Sequence, residues 1–329
     1  MSETDKNSDV TATDSAGQGG EPVTSRLPAR LRRAFERARA NAARMKVLVD
    51  GRNARVASAT RTLPPGHRPQ DVLAVLLLTV GIAVIALDIP TYPWLRSLPQ
   101  EYKAAFSAIT DLGKGHWILW STGLYCLLTL ALDWDAMRFR IRMALGTVWT
   151  FAAYIFAAVA ASGVAVLLLK WVLGRARPKL YEMVGPVHFD VFAFKGAYTS
   201  FPSGHSTTVA AYATALALIF PTYRWLIIVC AFWIAFSRIM VGAHYPSDVI
   251  AGTLLGMSVA LVVGRWMARR RIGFVFDDAG SIRPIIGRTG ARLGARALLR
   301  ALTGKRPIAG TPIPTPSAEA RHDIQDTHK

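Results

Sequence analysis

Six apolar stretches, at residues 72–88, 117–132, 144–169, 207–223, 225–243 and 249–267, constrain this chain more than any other feature. A helix needs about 20 apolar residues to cross the hydrocarbon core of a bilayer. Several of the stretches are shorter, but flanking aromatics or a snorkelling charge can lengthen each of them. With 52% hydrophobic and 18% charged residues in 329, the chain does not read as one soluble domain. The expected fold is all-α: a polytopic membrane protein built as a six-transmembrane-helix bundle with basic cytoplasmic tails.

The charge is unevenly placed. The chain holds 39 Lys plus Arg against 21 Asp plus Glu, a net charge of +18, and the basic residues gather before the first stretch and after the last. Placing both termini in the cytoplasm puts most of them on the inner side, with Arg55, Arg61, Arg68, Arg269, Arg270 and Arg271 close to the spans. That topology predicts a multi-pass protein of the cell inner membrane whose loops after spans 1, 3 and 5 face outward.

Four regions follow. Residues 1–26 are polar, lack a secretory signal and are expected to be disordered. Residues 27–70 form a basic cytoplasmic segment in which Leu31, Phe35, Ala38, Ala42, Met45 and Val49 recur at helical spacing. It reads as an amphipathic helix on an anionic leaflet, or equally as a solvated or partner-binding arm, and Leu63-Pro64-Pro65-Gly66 ends it. Residues 71–268 are the six-span domain, and 269–329 a basic, partly disordered tail. In that tail Arg288, Arg292, Arg296 and Arg300 recur every fourth residue among leucines, which suits anionic membrane lipids and not nucleic acid. Cys126 and Cys230 both lie in apolar stretches, so no disulfide scaffold or thiolate metal site is expected.

Three polar clusters fall on the predicted outer face. Lys170 and Arg177-Pro178 close span 3, Pro202-Ser203-Gly204-His205 opens span 4, and Ser237-Arg238, His244 and Asp248 straddle spans 5 and 6. Singly, each has a bland reading: snorkelling cations, a helix cap, interfacial histidines, or an acid complementing a helix dipole. Jointly they form K-x6-R-P, P-S-G-H and S-R-x5-H-x3-D, and alternating topology brings all three to one membrane face.

In these residues the chain resembles the type 2 phosphatidic acid phosphatases, whose three-part signature it matches at every position. The resemblance covers about Asp71 to Met267, and Ile109-Thr110-Asp111-Leu112-Gly113 is similar to bacterial members. It implies a phosphatase acting on a lipid phosphate or isoprenoid diphosphate through a phosphohistidine intermediate later hydrolysed by water.

The residue types suit that chemistry. Phosphate monoesters hydrolyse so slowly that several preorganised cations and donors are needed. Lys170, Arg177 and Arg238 supply positive charge, and the two guanidinium forks suit bidentate contact with phosphoryl oxygens. The backbone amides of Ser203 and Gly204, at the start of span 4, add donors at a helix N-terminus. Asp248, four residues after His244, can orient that imidazole and stabilise its cation, which makes His244 the nucleophile and His205 the general acid for the leaving alcohol. The residues alone allow the two roles to be exchanged; the resemblance implies this assignment.

No metal or other cofactor is required by the scheme. Asp88, Glu101, Asp111, Glu182, Asp190 and Asp248 read as scattered acids of the outer face, not paired at ligand spacing. Vanadate-binding haloperoxidases share the anion site but are soluble. Phe189, Phe192, Phe194 and Tyr198, between spans 3 and 4, either cap the site over a lipid or form an interfacial belt. A lipid-phosphate transporter or flippase using the same cavity without hydrolysis is the alternative; it needs no paired histidines. Phosphatidic acid, phosphatidylglycerol phosphate, an isoprenoid diphosphate and a lipid A-type glycolipid all fit the pocket.

Overall fold

The computed structural model describes residues 28–57, 69–192 and 194–285. The polar N-terminus, the Leu63–Gly66 breaker, Arg61, Arg68 and the arginine repeat from Arg288 lie outside the described residues. Helix α1, Ala29–Ala57, is followed by α2, Pro69–Ala83, which passes through one π-helical turn, Val84–Asp88, into α3, Ile89–Ser97. Then come α4, Gln100–Asp111, α5, His116–Leu130, and the 35-residue α6, Phe139–Leu173. The short α7, Tyr181–Val184, precedes α8, Gly204–Ile219, α9, Arg224–Met240, and α10, Pro246–Arg269.

Among the described residues four segments are long and apolar enough to cross a membrane: Gln70–Ser97, Phe139–Leu173, Pro221–Met240 and Pro246–Arg269. The second and fourth expected spans are helices too, α5 with 15 residues and α8 with 16, each short of a full crossing. Side chains such as Ile85, Trp120, Leu127, Phe232 and Val262 point outward, as apolar residues do when the surrounding solvent is lipid. The protein is a multi-pass membrane protein.

Small residues set the packing. A Cβ added at Gly252 would stand 2.5 Å from the Ser203 carbonyl oxygen, and one at Gly256 would overlap the backbone of Thr207. Gly252 and Gly256 thus give α10 a bare stripe on which α8 lies backbone to backbone, while Gly264 further along faces the side chains of Tyr154 and Leu218. Tyr154 of α6 fills the core behind them and donates its hydroxyl to the Ala260 carbonyl over 2.9 Å.

The all-α expectation needs one correction. Phe274–Phe276 and Ile282–Pro284 pair as an antiparallel hairpin, β1 and β2, in a stretch assigned to a loose tail. Its anchor is Phe274, fully buried edge-on against Phe151 and Tyr154. Gly280 with φ +78 and Asp277, which accepts from the Ser281 amide, make the turn.

Helix α1 is tied to the same end of the bundle. Arg37 and Arg44 pair with Asp133 and Asp135, Asn41 donates to the Leu130 and Leu132 carbonyls, and Arg52 donates to the carbonyls of Arg270 and Arg271. Leu31, Phe35, Val47 and Leu48 remain exposed on it. The helix therefore docks on the α5–α6 turn and the end of α10, with apolar residues still free.

Candidate active site

The site lies at the opposite end, where α6 and α9 finish and α8 and α10 begin. Lys170 sits in the last turn of α6, and Gly174, in the left-handed conformation at φ +57, ends that helix. Arg175 then bridges to Phe189, Arg177 is extended, and Pro178–Leu180 form one 3-10 turn. Ser203 caps α8, its hydroxyl accepting from the Ser206 amide. After α9 the chain turns at Gly242, φ +66, and delivers His244 just ahead of α10, where Pro246 occupies the first turn and the Asp248 carboxylate accepts the Tyr245 amide over 3.0 Å. Three separate sequence regions are thus brought together by the packing of α10 on α8 and α6.

His244 is almost wholly buried, and its Nδ1 lies 3.5 Å from Asp248 Oδ2. That separation exceeds a formed hydrogen bond, and Nδ1 has no other partner. Burial pushes the imidazole down to about 4 against the opposing pull of Asp248. The ring is therefore neutral near pH 7, the state a nucleophile requires.

The cations surround it without being used up. Lys170 Nζ donates to the Thr199 carbonyl over 2.6 Å, Arg177 reaches the Thr199 hydroxyl over 3.3 Å, and Arg238 Nη1 donates to the Thr110 hydroxyl over 2.8 Å. The Nε atoms of Arg177 and Arg238 are buried and unpartnered. Cationic donors with free valences at one point are what a phosphoryl group can satisfy.

Ser203 differs from its expected role. Its amide donates to the Asp248 carbonyl oxygen over 3.0 Å and its hydroxyl is engaged by Ser206, so it joins α8 to α10 and has no free amide for an anion. The first-turn amides of Gly204 and His205 have no intrahelical acceptors and remain the donors of that helix end. The stretch at Thr110–Gly113 also belongs to the site. Thr110 holds Arg238, and a Cβ at Gly113 would stand 3.3 Å from the His205 ring.

Asp88 corrects the expectation of a scattered outer-face acid. It is fully buried at the π turn and accepts from Arg175 Nη2 over 2.6 Å and from the hydroxyl and amide of Ser247. Arg175 is fully buried as well and donates to Asp248 Oδ1 over 2.6 Å, while Ser200 donates to Asp248 Oδ2 over 2.6 Å. Sequence reasoning missed Arg175 because it falls among the unspecified positions between Lys170 and Arg177. The available signal was an acid closing an apolar run, since such a charge needs a buried partner.

Among the described residues no group of three or more His, Cys, Asp or Glu is placed to hold a metal ion. Cys126 and Cys230 are free thiols away from the site.

A family model described as the PAP2 superfamily matches residues 151–272. A lipid A 1-phosphatase from Rhizobium etli is 35% identical over 231 residues, 68% of this chain and 95% of the relative. The chain belongs to the PAP2 superfamily. A second lipid A 1-phosphatase, from Rhizobium johnstonii, is 38% identical over 232 residues, 68% of this chain and 90% of the relative. An undecaprenyl-diphosphatase from Sulfolobus acidocaldarius is 36% identical over 94 residues, 28% of this chain and 44% of the relative. As a PAP2 member the protein is a membrane phosphatase, and the match from residue 151 to residue 272 contains all three clusters.

Proposed function

We propose that this PAP2 phosphatase removes the 1-phosphate from a lipid A-type glycolipid at the extracytoplasmic face of the inner membrane, through a phosphohistidine on His244. The observation that carries the chemistry is a neutral, buried His244 backed by Asp248 at 3.5 Å, with Lys170, Arg177 and Arg238 around it. The substrate is argued from the two lipid A 1-phosphatases, which this chain matches along nine-tenths or more of their length.

The steps follow from the residues. Lys170, Arg177, Arg238 and the amides of Gly204 and His205 bind the phosphoryl oxygens and stabilise the charge that builds there. His205 takes up a proton as the phosphate dianion binds beside it; His244 then attacks phosphorus, the P–O bond to the sugar breaks, and His205 gives that proton to the departing oxygen. Asp248 stabilises the cationic phosphoimidazole. Water, deprotonated by His205, then releases phosphate and restores His244. A cavity that only bound and released phosphate would need neither histidine in these positions, so the transporter reading is not adopted.

The six-span topology completes the proposal, with α5 and α8 as the second and fourth spans and both termini cytoplasmic. The 71–268 domain then carries the site outward, while the 27–70 segment and the tail after 269 meet anionic lipids at the inner face. Met183, Val187, Val191, Phe192 and Phe194, all exposed between α6 and α8, form the edge over which a lipid enters.

The deciding assay is phosphate release by the purified protein from a lipid A-type 1-phosphate, undecaprenyl diphosphate, phosphatidylglycerol phosphate and phosphatidic acid. The glycolipid is expected to be cleaved with the highest kcat/KM. Preference for any other member overturns the substrate, and hydrolysis of none overturns the function.

A further inference from the structure

Arg175 has no donor left for a substrate. Its Nε donates to the Pro186 carbonyl over 3.0 Å, Nη1 to Ser247 and Asp248 over 2.6 Å each, and Nη2 to Asp88 and the Pro186 carbonyl over 2.6 Å each. All five N–H bonds of the guanidinium are thus used inside the protein. The group lies over the Tyr245 ring at 4.5 Å, next to the nucleophile in sequence. Both carboxylates it meets are fully buried. One positive charge is therefore flanked by two negative charges, and the trio carries one net negative charge beside His244.

That surplus has a consequence for catalysis. If Asp248 alone faced Arg175, the pair would be neutral and Asp248 would have little charge to offer an imidazole becoming cationic. We propose that Asp88 and Arg175 are positioning residues, in which Asp88 neutralises Arg175 so that Asp248, held in place by the arginine, keeps its charge for His244. This deepens the phosphohistidine reading and rests on it.

The other charges near His244 act in the opposite sense. Lys170 of α6, Arg177 after it and Arg238 of α9 are positive, and His205 of α8 faces them with Lys114 and Asp111 at its rim. Asp248 and Asp88 are the buried acids set against that field. Removing the Asp88 charge therefore lowers the proton affinity of His244, and removing the Arg175 charge raises it.

The test follows single-turnover phosphoenzyme formation against pH with an aryl phosphate, comparing the wild type with Asp88→Asn, Arg175→Gln and the double variant. Substrate ionisation is common to all four and cancels in the comparison. Asp88→Asn is expected to move the acid limb down by about one pH unit and to slow kcat about tenfold, with KM little changed because neither residue touches phosphate. Arg175→Gln moves the limb up, and the double variant, which again carries one net negative charge, now on an Asp248 held by Ser200 and the Tyr245 amide, returns it to the wild-type position. A merely structural role would lower stability without moving the limb. An unchanged limb in Asp88→Asn and Arg175→Gln, or a double variant shifted as far as Asp88→Asn, overturns the proposal. A wild-type protein that traps no phosphoenzyme overturns the His244 reading itself, and this proposal with it.

Discussion

The Ser203 amide donates to the carbonyl oxygen of Asp248 over 3.0 Å, so the residue that caps α8 is bonded to the first turn of α10. His205 stands two residues after the first and His244 four before the second. Their mutual placement is thus set by helix-to-helix backbone contact, not by loops. The contact exists because Gly252 and Gly256 leave α10 bare where Ser203 and Thr207 lie. Gly256→Ala puts a methyl group into the Thr207 backbone and is expected to destabilise the protein by about 1–3 kcal/mol, with a larger fall in kcat than in substrate affinity. Gly163→Ala, which meets nothing within 4 Å, is the control. Thermal unfolding in detergent and steady-state rates on both variants check this.

Arg238 is held by Thr110, whose hydroxyl lies 2.8 Å from Nη1. Thr110→Val keeps the shape and removes that acceptor, so that Arg238 loses its aim at the phosphoryl group, a loss of about 1.4 kcal/mol of transition-state stabilisation for each tenfold in rate. The expected result is a roughly tenfold or greater fall in kcat/KM with thermal stability nearly unchanged. Equal rates for variant and wild type would show that Arg238 aims itself.

Because every charge assigned to the phosphoryl group is a side chain, phosphate release is expected to survive EDTA. Vanadate is expected to inhibit by occupying the pocket as a pentacoordinate mimic. Loss of activity on chelation, restored by one divalent ion, would overturn the metal-free scheme.

Sidedness is read with single cysteines in a background where Cys126 and Cys230 are replaced. Gly196 lies between α6 and α8 near the site, Gly51 lies on α1, and a side chain at either meets nothing within 4 Å. Gly196→Cys is expected to react with a membrane-impermeant thiol reagent in cells with a permeabilised outer layer, and Gly51→Cys is not. The reverse pattern would invert the topology.

The candidate site was legible as a cluster because its residues have chemical types and spacings that packing alone does not call for: a lysine and arginine closing an apolar stretch, and a histidine four residues ahead of an aspartate. The structure brings all of them to one end of the bundle. What stayed hidden is long-range pairing. Asp88 and Arg175 are 87 positions apart, and nothing local marks either as the other's partner. The role of Ser203 was misjudged for a related reason: a free amide at a helix start is a local expectation, and here α10 supplies an acceptor. The hairpin at Phe274 was missed because three-residue strands carry too little alternation to register beside a basic tail. Span lengths were the least legible, since apolar residues continue through the π turn at Val84–Asp88 into α3, while α5 and α8 stop short.

The two histidines are separated by their chemistry. His244→Ala removes the covalent step and is expected to abolish both turnover and the trapped phosphoenzyme, a loss of several orders of magnitude because the nucleophile and its partners act as a unit. His205→Ala removes only the proton for the leaving oxygen. General acid help of about 10²–10⁴ matters when that oxygen is a poor leaving group, so an aryl phosphate should recover part of the rate. Asp248→Asn is expected to resemble a weakened His244→Ala, and more severely than a lost hydrogen bond would, because Arg175, Ser200 and the Tyr245 amide are all built around its carboxylate. Acid-quenched ³²P transfer in each variant, paired with rates on alkyl and aryl substrates, decides the matter. A phosphoenzyme formed by His244→Ala but not by His205→Ala would exchange the roles, and normal phosphate release by both would remove histidine from the mechanism.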